Sequence, residues 1–169
     1  MQLTFNITEN TDLMTKRLEA LDYLRTHEIE IGLLPSAPAQ THYILAIQEH
    51  GAPITGIPSR PVVGPALDSA DTKSALSAEF EKAVSYAHEG DLPSAIASLE
   101  AAGQAGADGI RAYIDSGISP PNSPMTVSGG WMRNRVSGKP VHIAGKGFNK
   151  PLYDTGALYA AFSYEIRPR

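Results

Sequence analysis

The sequence predicts an α+β fold, a small, mostly antiparallel sheet packed against two or three helices, with a long flexible basic loop. Three observations predict it. Short alternating stretches lie near both ends, two long segments of helical period lie between them, and residues 117–153 hold prolines and glycines without any sustained period. The 169 residues suit a single domain, 1–169, and a chain of this size buries about 70% of its unfolded surface.

At the N-terminus Leu3, Phe5 and Ile7 alternate as in a half-buried strand, and Asn10, Thr11 and Asp12 offer caps for a helix reaching Arg25. Met14, Leu18, Leu21 and Leu24 form its apolar positions. Residues 28–33 alternate again and predict a second strand. A short helix follows over 41–50, with Gly51 in the position just past its end. Pro53, Pro58, Pro61 and Pro65 then make residues 51–65 extended and stiff.

The helix predicted over 70–89 carries Leu76, Phe80, Ala83, Val84 and Ala87 on one stripe. Gly90-Asp91 breaks it, and Pro93 suits the first turn of a longer helix over 93–116. Gly103 and Gly106 lie on that helix's buried stripe. Each weakens it by about 1 kcal/mol relative to alanine, so a close neighbour is expected there, from the same fold or from another subunit. Asp154 or Thr155 caps a last short helix through Ala161, and Phe162, Tyr164 and Ile166 alternate as a final strand.

Composition excludes several classes of function. Cysteine is absent, which removes disulfides, thiol catalysis and cysteine zinc sites. No window approaches the ~20 apolar residues of a membrane span, so no membrane partner is expected. Residues 1–15 lack the basic and apolar regions of a signal peptide. The five histidines are scattered and none stands in an H-E-x-x-H pattern. His42 and His50, eight residues apart on one helix, would sit ~12 Å from each other, too far for one zinc ion. Gly117-Ile118-Ser119-Pro120-Pro121 lacks the final glycine of a nucleophile elbow, and Ala144-Gly145-Lys146-Gly147 lacks the Ser or Thr of a phosphate loop. No catalytic residue, cofactor or metal is expected.

Charge is the most informative feature. The net charge is −4, yet no acid occurs between Asp115 and Asp154, where Arg133, Arg135, Lys139, Lys146 and Lys150 carry +5. These five cations and Trp131 are the predicted contact residues. The loop either complements the acidic remainder of its own domain, or meets an acidic protein partner, or approaches a phosphate backbone.

Two stretches together resemble a known family. One is Ile47-Gln48-Glu49-His50-Gly51 followed by Gly56-Ile57-Pro58-Ser59-Arg60-Pro61; the other is residues 150–158, Lys150 to Leu158, ending in Phe162-Ser163-Tyr164-Glu165-Ile166. In this order, with two helices and a Pro-Pro loop between them, they resemble the neck and tail-completion proteins of tailed bacteriophages, related to the virion morphogenesis family. Val62 stands where that family usually has phenylalanine. The resemblance implies a non-enzymatic virion protein at the head–tail junction, in a neck, tail-completion or tail-terminator role. It would assemble in the host cytoplasm as a ring around the DNA channel, against itself, the head connector and tail proteins, with non-specific DNA contact in the channel.

The motif residues have structural expectations of their own. Pro58 and Pro61 hold the backbone on both sides of Arg60, with Glu49 as the expected carboxylate partner. Asp154 and Thr155 cap the last helix, while Gly156 permits a close approach. Two other classes remain open, a nucleic-acid-binding module using residues 131–150 and a small hydrolase.

Overall fold

The structure, a computed structural model, describes residues 7–134 and 136–169. The strand positions Leu3 and Phe5 and the cation Arg135 lie outside the described residues. In chain order the elements are α1 (Ile7–Thr26), β1 (His27–Leu33), α2 (Ala39–His50), a 3₁₀ turn (Pro53–Thr55), α3 (Val63–Asp68), α4 (Ala70–Glu89), α5 (Leu92–Asp115), α6 (Pro124–Ser128), β2 (Gly129–Arg133), β3 (Pro140–Ala144), α7 (Ala157–Ala161) and β4 (Phe162–Pro168). The fold is α+β, with both ladders antiparallel. Instead of one small sheet there are, among the described residues, two separate two-stranded ladders, β1–β4 and β2–β3. The residues fall into two compact units, one of 1–36, 63–110 and 162–169, the other of 37–62 and 111–161.

In the first unit the chain is already helical at Ile7, where a strand was expected. Asp12 pairs with Lys16 one turn on, at 2.8 Å, as a residue inside a helix does. The expected cap therefore lies within α1. β1 and β4 match the predicted strands, with Ile29 opposite Ile166, Ile31 opposite Tyr164 and Leu33 opposite Phe162. α4 spans the predicted residues: Ser69 caps it through Thr72 N–H, and Gly90 ends it with φ +80°. Asp91 then starts α5, its carboxylate accepting from Ser94 N–H and Ser94 Oγ at 3.1 and 2.6 Å. α3 was not expected, because its Pro65 reads as a breaker. It stands in the first turn, where no intrahelical N–H is needed.

Only part of each predicted apolar stripe on α1 and α4 faces inward: Ala83 and Ala87 of α4 are buried, and Leu24 of α1 flanks the buried cluster. α1 and α4 pack together, and the buried cluster there is Ala20, Ala87 and Ala95, flanked by Leu24 and Leu92. Small residues let these backbones approach closely. Met14, Leu18 and Leu21 on α1, and Phe80 and Val84 on α4, stay exposed.

α5 explains its own glycines. A Cβ on Gly103 would run into the Tyr164 ring and its Cβ, and one on Gly106 would lie 2.6 Å from Ile31 Cδ1. Both neighbours belong to the β1–β4 ladder of the same chain, and they are side chains, not backbone. Alanine at 103 gains roughly 1 kcal/mol of helix propensity against about 1–3 kcal/mol of overpacking. Gly103→Ala is therefore expected to destabilise the protein in thermal unfolding. Gly64→Ala, in α3 with nothing within 4 Å of the added carbon, is expected to leave the midpoint unchanged or raise it.

Candidate functional site

The second unit gathers the first motif stretch and residues 150–158 of the second, while the ending Phe162 to Ile166 lies on β4 in the first unit. α2 runs two residues longer than predicted and ends as expected, with Gly51 N–H donating to Ile47 O at 2.7 Å and φ at +73°. A Cβ there would lie 2.8 Å from Ser59 N, so glycine is needed for the return of the chain. Residues 52–57 close a tight turn through the Ala52–Ile57 bridge. Arg60 N–H then donates to Gln48 O, and Ser59 Oγ donates to Glu49 O at 2.6 Å.

Arg60 is buried, 6% exposed. Its guanidinium donates to Pro120 O at 2.7 Å through Nε, to Pro121 O at 2.9 Å through Nη2 and to Gln48 Oε1 at 3.2 Å through Nη1. The expected Glu49 pairing is corrected. Neighbours on a helix diverge, so Gln48 reaches Arg60 while the Glu49 carboxylate accepts Val62 N–H at 2.9 Å. Burial holds the guanidinium below its ordinary range, and neutral carbonyls supply the acceptors. A prolyl carbonyl is well suited to this role, since that residue offers an acceptor and no competing N–H.

The basic segment divides into two groups. Lys146 Nζ donates to Lys150 O at 2.6 Å and Tyr153 O at 2.7 Å and sits over the Phe148 ring. Burial lowers its pKa; Asp154 opposes that shift, and the Arg60 charge adds to it. Lys150 pairs with Asp115 at 2.6 Å, where Tyr159 OH also donates at 2.8 Å. These two lysines are thus engaged inside their own unit. The other described cations, Arg133 and Lys139, lie exposed at the β2–β3 hairpin. Trp131 is 70% exposed on the same hairpin, edge-on to His142 at 5.2 Å.

Residues 117–153 therefore contain regular structure that the sequence pattern hides. Gly129 and Gly145, read as flexible points, mark a close backbone crossing where neither tolerates a Cβ. The turn is held by Asn134 Oδ1, which accepts from Val136 and Ser137 N–H, both at 2.9 Å. The alternation around Trp131 and Val141–Ile143, with Asn134 and Gly138 between, was the available hairpin signal.

At α7 the cap also shifts. Thr155 Oγ1 accepts Ala157 N–H at 3.3 Å, and Gly156 O accepts Ala160 N–H, so the cap position is Gly156. Gly156 serves through its φ of +81°; a Cβ there would meet nothing closer than Tyr153 at 3.8 Å. Asp154 faces a cleft of about 970 Å³ that is also lined by Ile44, Gln48, Asn122, Ile143, Lys146 and Leu158.

Among the described residues no group of three His, Asp or Glu is placed to hold a metal ion, and no helix is long and apolar enough to cross a membrane. His27 stacks on Tyr23 at 3.8 Å, and His142 adjoins Trp131. No family model, curated protein or solved structure matches the chain.

Two outcomes follow from these contacts. Arg60→Lys cannot span both prolyl carbonyls and the Gln48 amide, and should destabilise the protein by about 2–4 kcal/mol in urea unfolding. The bonds from Lys150 and Tyr159 hold the Asp115 carboxyl below its usual range. Its stabilising contribution is present above about pH 4 and fades as pH falls through the depressed folded value. Asp115→Asn should accordingly flatten the acid limb of the melting temperature measured against pH.

Proposed function

We propose that this chain is a structural virion protein of a tailed bacteriophage, a neck or tail-completion component at the head–tail junction that forms a ring around the DNA channel. The observation that carries the reading is the convergence of the first motif stretch with residues 150–158 of the second. Though about a hundred residues apart in sequence, these two segments meet in one unit, while the ending Phe162 to Ile166 belongs to the other unit. α2 packs against α7, and Gln48 lines the same cleft as residues 152–158. Residues 47–61 and 150–158, which carry most of the resemblance, thus build one frame, and the unit they share also holds the hairpin.

In this reading the protein works through shape and charge. Arg60, Glu49 and Gly51 hold the frame, while Trp131, Arg133 and Lys139 meet its surroundings as the particle is joined in the host cytoplasm. A nucleic-acid contact is the second reading. It is favoured by the exposed tryptophan beside cations on a two-stranded ribbon, a shape that a DNA groove admits.

The test is imaging of intact particles. The chain is expected as a ring between capsid and tail. Replacing residues 133–140 by Asn-Gly keeps a two-residue turn on the Met132–Val141 pair, and should yield filled heads and separate tails. Joined, infectious particles from that variant, or particles without the chain at that vertex, contradict the reading.

A further inference from the structure

We propose that the β2–β3 hairpin docks onto a second copy of this chain, on the outward faces of that copy's α1 and α4. The inference rests on the ring reading above and names the surfaces that build the ring.

Charge is the first observation. The unit of 1–36, 63–110 and 162–169 carries fifteen acidic and seven basic side chains, whereas the unit of 37–62 and 111–161 carries three acidic and seven basic. One chain therefore bears both halves of a complementary pair, at −8 and +4. Identical copies attract head to tail, with the basic unit of one facing the acidic unit of the next.

Exposed apolar surface is the second observation, and it occurs on both sides. The Asn134 N–H to Lys139 O bond sets the phase of the ladder. Met132–Val141 is then a bonded pair, while Trp131 and His142 turn their backbone groups outward. No third strand joins this ladder among the described residues. Trp131 stands on one face, and Met132 and Val141 stand on the other, each 42% exposed. A two-stranded ladder wetted on both faces is marginal without cover. In the acidic unit Leu18 is 57% exposed on α1 and Val84 46% exposed on α4, with Met14 and Phe80 also open.

A phosphate backbone would satisfy Arg133 and Lys139 but offers nothing to Met132, Val141 or Ile143. A second copy meets both needs. The contact joins two different surfaces, so it propagates into a ring if the rotation closes.

The experiment uses the full chain and two exposed-surface variants, with far-UV circular dichroism and melting as fold controls. Trp131→Asp/Met132→Asp reverses the hairpin, and Leu18→Lys/Val84→Lys reverses the helical face. In sedimentation velocity at ~0.1 M salt the parent is expected to self-associate, and to do so more weakly at ~1 M as the Debye length falls from about 10 to about 3 Å. Each folded variant alone should associate at least about thirtyfold more weakly, the effect of losing a central anchor. An equal mixture should form a one-to-one pair and stop there, because each variant keeps one intact surface.

A monomeric parent, an unaffected helix-face variant, or a mixture that fails to pair overturns the proposal. So does duplex DNA that takes up the hairpin while the parent stays monomeric. A ring seen in particles whose subunits meet elsewhere leaves the ring reading standing and removes this one. Particles without the chain at the junction remove the ring reading whatever the mixture does.

Discussion

The second unit depends on a buried guanidinium satisfied by neutral oxygen. Arg60 lies out of solvent with two prolyl carbonyls and one amide oxygen as its acceptors. Leaving such a group unsatisfied costs several kcal/mol. Residues 120–121 and α2 are therefore held where their oxygens reach it. The rigidity of Pro58 and Pro61, the turn at Gly51 and the position of Glu49 all serve this one placement. An arginine is suited to it because its planar fork reaches three acceptors at fixed angles.

The same constraint sorts the remaining charge. A second cation close to Arg60 is repelled by it, and Lys146 tolerates that position by donating to two carbonyls near Asp154. Lys150 is neutralised by Asp115. The frame thus absorbs its own lysines and leaves Arg133 and Lys139 at the hairpin with Trp131. A rigid frame with an exposed ribbon suits a protein proposed to act by docking, because little order has to be gained in the frame when the partner arrives.

Much of the first unit was legible. α4 and α5 follow from a sustained 3.6-residue period broken at Gly90-Asp91, and β1 and β4 follow from alternation. The inward faces were legible only in part. Ala83 and Ala87 fall on the predicted stripe of α4, whereas Ala20 of α1 and Ala95 of α5 lie off the predicted stripes, and the larger side chains Leu18, Phe80 and Val84 stay exposed. The hairpin was hidden for a related reason. Its glycines at 129 and 145 permit close backbone approach, yet a glycine reads as a flexible point until its neighbour is known. Arg60 was legible as a structural residue but its partners were not. Backbone carbonyls at 120 and 121 leave no mark in a sequence, and the nearby carboxylate of Glu49 was the natural but wrong candidate.

Trp131, the chain's single tryptophan, reports directly on whether the protein works through its hairpin. Its fluorescence in the free chain should be red-shifted and readily quenched by iodide. In joined particles, with every other virion tryptophan replaced or unlabelled by a 5-fluorotryptophan scheme, the account predicts a blue shift and loss of quenching. An indole equally open to iodide before and after joining would contradict it.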